Sequence, residues 1–370
     1  MKDITLRRVG LALAAPALAV AVAIAVSSIV LIISGSNPID AYHDMFFNAL
    51  KLETSIDILN RATPFYISGV AAAIGFRMNL FNIGVEGQYL LAAFFASVVG
   101  GAVNLPPVLH VALVLIVAMS VGAAWSGLAG VLKVTRGVNE VISTIMLNFI
   151  ATGGIIAGLI VVWQDNTGQV NSGTTPIPES GRMPDLNSWV EIFTRDIGKG
   201  RRLTGVLLIA IVVGIAYHLF INRSTIGFEF RASGYNPFAA RAGGIAPKKM
   251  VLTAMVLSGA IAGLVGMVEV LSDNYRYDQS FIRGLGFQGI AVALLGRNKP
   301  VGIAVAALLF GFLDASAGAL QISGSASREI VVIMQATILL AAVVAYEVVN
   351  RLRQKEEAKT AAALLAGSAS

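Results

Sequence analysis

The chain has 370 residues, of which 56% are hydrophobic and only 13% charged, and a mean hydropathy of +0.76. Soluble domains carry about 25% charged residues, so this is an integral membrane protein. The absence of cysteine excludes disulfides and thiolate metal sites, and the net charge of +6 comes without the basic, aromatic-interleaved runs of a nucleic-acid surface.

In chain order, ten apolar runs approach the roughly 20 residues that cross a bilayer as a helix. They lie near 9–34, 61–77, 85–103, 107–132, 141–163, 203–222, 250–271, 285–296, 300–320 and 329–349. The first exceeds the roughly 7–15-residue core of a signal peptide and reads as an uncleaved span. Lipid leaves only helices and closed barrels as spanning structures, and runs such as VLLIAIVVGIAYHLFI lack the alternation of a barrel strand. The expected fold class is all-α, a polytopic bundle of about ten transmembrane helices. An N-terminus inside places most of the 27 Lys and Arg on inner segments, so both termini are expected in the cytoplasm. Residues 1–353 then form one transmembrane domain, with a long outer loop at 164–202 and an inner loop at 223–249. The tail 354–370 is expected to be disordered.

Four polar interruptions carry the functional signal. The first is FNIGVEGQ, residues 81–88. A carboxylate at bilayer depth costs about 2.5–3.5 kcal/mol. Glu86 is therefore either solvated at the cytoplasmic boundary or part of a helix break that faces a water-filled path. Asn82 and Gln88 offer donors and acceptors suited to a neutral polyhydroxyl or heterocyclic solute. The second is GVNEVISTIMLNFIA, residues 137–151, where Asn139 and Ser143, and Glu140, Thr144 and Asn148, recur at helical spacing. These faces either line the path or glue helices together. The third is RASGYNPFAARAGGI, residues 231–245. Pro237 suits a helix start and Gly243–Gly244 a stop, giving a short helix in a loop that otherwise lacks a fold of its own, either a linker or a docking segment. The fourth is GLGFQGIAVALLGRNKP, residues 284–300.

Spans 1–5 start inside and spans 6–10 outside. In each half a polar, Gly-rich break falls between the second and third spans, the first near the inner side and the second near the outer side. Two inverted five-helix repeats with broken helices are expected from this correspondence. Glu269 and Asp314 sit in the seventh and ninth spans, suited either to ion coupling or to local pairing. The chain has no Gly-x-x-x-x-Gly-Lys-Ser/Thr phosphate loop, no catalytic triad and no metal-ligand pattern. No catalytic residue, cofactor or enzymatic activity is expected.

The four motifs, in this order across roughly residues 60–345, resemble the permease subunit of bacterial ABC importers. The resemblance is to the ribose-type (branched-chain/simple sugar) permease family, in its nucleoside-uptake branch. Sugar-transporting relatives typically have a GIDLSVG-like segment where this chain has FNIGVEGQ. The resemblance implies a subunit in the bacterial cell membrane that forms the solute path for nucleosides. It also implies a cytoplasmic ATP-binding-cassette ATPase, a second homologous permease subunit and an extracytoplasmic solute-binding lipoprotein. The expected path residues are Phe81, Asn82, Glu86, Gln88, Asn139, Glu140, Ser143, Asn148, Phe287 and Gln288, with Phe81 or Phe287 stacking on a base. Those expected to couple to the ATPase are Arg231, Asn236, Pro237, Ala239, Ala240, Arg241, Gly243 and Gly244. The alternatives are a sugar-importing ABC permease and an ion-coupled secondary transporter, which would have no use for an ATPase dock.

Overall fold

A computed structural model describes residues 21–163 except 23, 173–192, 201–323 and 329–341, with 344 and 351. The start of the first expected span, parts of the 164–202 loop and the tail 354–370 lie outside the described residues. Among the described residues every regular element is helical, apart from the isolated bridges Gly173–Asp278 and Asp185–Thr204. In chain order the helices are α1 (Ile24–Ile33), α2 (Pro38–Ala49), α3 (Leu52–Arg77), α4 (Val85–Ala102), α5 (Pro107–Arg136), α6 (Glu140–Trp163) and α7 (Val206–Arg223). They continue with α8 (Thr225–Tyr235), α9 (Pro237–Ala242), α10 (Pro247–Gly263), α11 (Leu285–Leu295), α12 (Pro300–Ser323) and α13 (Glu329–Ala341). The chain divides into two compact units, one of residues 51–312 and one of residues 1–50 with 313–370.

Among the described residues, five helices are long and apolar enough to cross a membrane: α4, α5, α6, α7 and the Pro300–Gly318 part of α12. A sixth is added if α1 and α2, bent by 118°, count as one span. The protein is thus an all-α, multi-pass membrane protein. Besides α13, whose described part is Glu329–Ala341, three helices at expected spans fall outside that count for identifiable reasons. α3 begins at Leu52, earlier than expected, and takes Glu53, Asp57 and Arg61 into its first turns. α10 stops at Gly263, and a π-helical turn follows at Glu269–Asp273. α11 has 11 residues, about half of a bilayer crossing.

In the unit of residues 51–312, α4 is the central helix. Apart from Glu86 and Gln88 near its start it is largely apolar, and it is buried along most of its length, from Val85 to Phe94 without interruption, as expected of a helix surrounded by others. The closest helix crossing joins α5 to α10. A Cβ on Gly259 would lie 2.3 Å from the Gly122 carbonyl oxygen, and one on Gly122 would lie 2.2 Å from that of Gly259. Backbone contact of this kind is how membrane helices associate where lipid offers no hydrophobic drive. At the start of α3, Asn60 receives the Thr204 N–H at 3.0 Å and donates to the Arg202 carbonyl at 2.7 Å, and Asp57 pairs with Arg201. The described part of the long loop is folded onto this end of the bundle. Ile177 is fully buried, and His110 is held between Ser180 Oγ and the Gly100 carbonyl, 2.9 Å from each.

The loop 223–249 differs from expectation. It is nearly all helix, as α8 and α9, because Ser224 caps α8 by accepting from the Gly227 N–H at 2.9 Å. Phe230 of α8 is also fully buried, edge-on to Phe220 at 5.3 Å between centroids. Burial of one large aromatic outweighs the weak helix propensity of a Gly- and Ser-containing segment.

Replacing Gly259 by leucine forces α5 and α10 apart. The variant is expected to lose about 3 kcal/mol or more, read as a fall in melting temperature and in monodisperse yield in detergent. Gly127→Ala, where a Cβ meets only Val256 at 3.4 Å, should be tolerated.

Candidate functional site

Two helices start inside the bundle, and their N-termini meet. The turn after α3 doubles back through Asn79, whose φ is +54°, so that α4 begins level with Ser68 and Ala71 of α3. There Ser258 Oγ of α10 donates to the Ala71 carbonyl at 2.7 Å and receives Asn82 Nδ2 at 2.9 Å. α11 begins at the same level, where the Leu285 carbonyl accepts from Ser68 Oγ at 2.8 Å. The helices then run apart. α11 follows α3 to Asn298, whose carbonyl accepts from Arg77 Nη2 at 2.8 Å. α4 goes the other way to Gly100, beside His110. The two breaks, expected on opposite sides, are in direct contact.

Glu86 makes that contact. It stands in the first turn of α4, 6% exposed. Its Oε1 accepts from the Gly284 N–H at 2.7 Å and its Oε2 from the Gly286 N–H at 2.9 Å. α11 has no side-chain cap of its own, so the carboxylate fills that role from another helix. The positive ends of two helix dipoles converge on one negative charge. The Tyr89 hydroxyl lies 3.2 Å from Oε1 and 2.9 Å from the Ile282 carbonyl, and with one proton it donates to one of them at a time. The approach demands glycine at 286, where a Cβ would lie 2.4 Å from the Glu86 nitrogen.

The carboxamides are spent on the break itself. Asn82 and Gln88 bond reciprocally, Gln88 Nε2 to Asn82 Oδ1 at 2.9 Å and Asn82 Nδ2 to Gln88 Oε1 at 3.1 Å. Asn82 Oδ1 also accepts from the Gly84 N–H at 3.0 Å. Both residues are buried, at 2% and 1% exposure. Asn148 clamps the break from α6: its Oδ1 accepts from the Gly87 N–H at 2.8 Å and its Nδ2 donates to the Ile83 carbonyl at 3.0 Å. Further down α6, Asn139 is the N-cap, accepting from the Val141 N–H at 2.9 Å, and Glu140 pairs with Lys133 at 2.5 Å. Ser143 and Thr144 bond back to the Glu140 carbonyl. Asn82, Glu86, Gln88 and Asn148 thus come together around one junction, while Asn139, Glu140 and Ser143 occupy the start of α6. Phe81 and Phe287 are about half exposed, and Gln288 lies beside Phe287 on α11, partly exposed. Tyr89, Ser68 and Ser258 were missed by sequence reasoning. Lone serines in apolar runs were the available signal for the last two.

The second expected site is a short helix presented outward. Asn236 caps α9 by accepting from the Phe238 and Ala239 N–H groups at 3.0 and 3.1 Å. Pro237, Phe238, Ala239, Arg241, Gly243 and Gly244 are exposed and Ala240 is buried. Arg231 lies on α8, half-buried. Gly234 of α8 packs against the Arg77 and Met78 backbone, where α3 gives way to the break. Among the described residues no group of three or more His, Asp or Glu could hold a metal ion. Of the two acids noted above, Glu269 accepts from Asn274 Nδ2 at 2.5 Å, and Asp314 is half-buried on α12.

Glu86→Gln removes the charge and sets an NH₂ group against a donor. It should cost about 1.5–3 kcal/mol, and Asn148→Ala, which orphans the Gly87 N–H and the Ile83 carbonyl, a similar amount. Thermal unfolding in detergent checks both. Unchanged melting would mean that the junction holds nothing together.

Comparison with known proteins gives relatives of the sequence. The family model described as branched-chain amino acid transport system / permease component matches residues 54–343. The guanosine ABC transporter permease protein NupP of Bacillus subtilis is 35% identical over 89% of this chain and 93% of its own length. The nucleoside ABC transporter permease protein NupB of Lactococcus lactis is 33% identical over 85% of this chain and 86% of its own. The glucose ABC transporter permease protein TsgB13 of Haloferax volcanii is 31% identical over 89% and 87%. No solved structure matches the chain.

Proposed function

The chain belongs to the branched-chain amino acid transport system / permease component family, and on that premise we propose that it forms the membrane path for nucleosides in an ABC importer. It is a transport subunit and not an enzyme. The observation that carries the solute class is its likeness to two permeases named for guanosine and nucleosides, each over most of both chains. The likeness to a glucose permease at 31% identity keeps sugars as the second reading.

The site fits the first reading. The path runs past the junction of α4 and α11, where Phe81, Phe287 and Gln288 offer two ring faces and a carboxamide to a base and its sugar. Aromatic stacking on a base contributes about 1–3 kcal/mol and tolerates different bases. Asn82, Glu86, Gln88 and Asn148 shape the wall from behind, while Asn139, Glu140 and Ser143 set the start of α6 beside it. The ten spans form two inverted five-helix repeats. In support, α4 and α11 leave one junction in opposite directions, as half-helices at a central site do. Both termini, α8 and α9 face the cytoplasm, where the basic residues of the short loops belong.

The motor is external. A cytoplasmic ATPase docks on α9 through Phe238, Ala239 and Arg241, with Arg231, Asn236, Pro237, Gly243 and Gly244 shaping the dock and Ala240 seating it. A second homologous permease completes the path, and an extracytoplasmic lipoprotein delivers the solute. The packing of Gly234 on Arg77 and Met78 gives the dock a direct mechanical route to the helix break.

Competition for uptake tests the solute class. In cells expressing the complete transporter, unlabelled nucleosides should suppress uptake of labelled guanosine and glucose should not. Suppression by glucose alone would install the sugar reading. Ala239→Asp with Arg241→Asp alters only exposed side chains, so it should abolish co-purification of the ATPase with the permease still inserted. Retention of the ATPase would reduce the segment to a linker.

A further inference from the structure

Two adjoining recesses along α7 lie apart from the α4–α11 junction. The first is an apolar groove of about 610 Å³ between α3, α7 and α12, reaching from Leu59 and Leu207 to His218 and Pro300. Its lining on α7, Leu207 to Leu219, covers about 18 Å at 1.5 Å per residue. The groove therefore runs along most of the span of α7, from its second residue, and is long enough for an acyl chain that enters from the Arg223 end. The second recess, about 510 Å³, lies at the Arg223 end of α7 and has a mixed wall, with Asn222, Arg223, Ser224, Glu229 and Arg231 beside Phe228 and Ile245. His218 of the groove and Asn222 of the second recess are one helical turn apart and bonded to each other, Nδ1 to Nδ2 at 3.3 Å. Arg231 keeps a buried Nη1 with no hydrogen-bond partner. Two guanidiniums stand against one carboxylate, so the recess is cationic. A buried charged nitrogen without an acceptor is costly, and a phosphate supplies the acceptors that fit a guanidinium.

We propose that the two recesses together hold one anionic phospholipid of the inner leaflet, with its phosphate against Arg223 and Arg231 and an acyl chain in the groove between α3, α7 and α12. Charge and continuity select this occupant. A soluble anion would fill only the cationic end, and a zwitterionic lipid would bring its own cation to two guanidiniums. Anionic headgroups are concentrated on the cytoplasmic leaflet, and basic pockets between helices on that side bind them. The inference rests on the membrane topology proposed above and is independent of which solute is carried. Arg231 belongs to α8, so the lipid steadies the helix on which the dock is built.

The test is lipid retention by the complete transporter. The complex is reconstituted into phosphatidylcholine vesicles with or without phosphatidylglycerol, re-extracted in mild detergent and weighed by native mass spectrometry. Phosphatidylglycerol should stay bound in preference to phosphatidylcholine. Arg223→Gln should lower its retention roughly fivefold. Ala304→Phe, which fills the groove and leaves the cationic recess intact, should lower it by a similar factor. Equal retention of the two lipids would overturn the proposal. So would loss on Arg223→Gln but not on Ala304→Phe, together with displacement by inorganic phosphate, which would mark a free-anion site. Cross-linking of the groove to another subunit, or to a second copy of the chain, would overturn it as well. If Arg223→Gln fails to fold, the groove variant and the comparison of lipids still decide.

Discussion

Two helices, α4 and α11, begin in the interior of the bundle, and each brings unpaired N–H groups and the positive end of a dipole to a place where water is scarce. The Glu86 carboxylate answers both at once. It belongs to the first turn of α4 and accepts the Gly284 and Gly286 N–H groups at the start of α11. A buried carboxylate is ordinarily a liability. Here the charge is bonded on both oxygens and faces two helix N-termini, which is the setting that stabilises an anion. The two halves of the sequence are therefore joined at their breaks by a polar contact that lipid cannot replace.

The surrounding structure keeps that contact in register. Asn82, Gln88 and Ser258 tie the first break to α10 and α3, and Asn148 ties it to α6. The backbone contact of Gly122 with Gly259 fixes α5 against α10. Each of these polar groups has a partner within the junction, and Phe81 and Phe287 stay about half exposed. On the other side, α8 packs through Gly234 on the Arg77 and Met78 backbone at the end of α3, just before the break. Small shifts at such a contact become larger ones because packed helices move as units.

Much of this was legible in the sequence. Hydropathy runs placed the helices because lipid demands continuous apolar segments, and α5, α6, α7, α11 and the start of α12 lie close to where those runs put them. The four polar motifs were visible as departures from an apolar background, and α9 could be read from Pro237 and Gly243–Gly244 because proline and glycine act locally. The long-range partners were not legible. That Glu86 caps a helix 200 residues away, or that Asn82 and Gln88 pair with each other, depends on how the helices pack. Amide groups alone suggested solute contacts; in the fold Asn82 and Gln88 bond mainly to each other and to Ser258. α8 was hidden because its helix depends on burial of Phe230.

Amide hydrogen exchange at Gly284 and Gly286, in the intact protein in a membrane mimetic, tests the central claim most directly. If the Glu86 carboxylate caps α11, both amides exchange as slowly as those in the buried half of α4, although they sit at a helix start whose N–H groups have no partner within their own helix. Exchange as fast as that of the exposed α9 amides would show that no carboxylate holds them and that the two breaks are not joined.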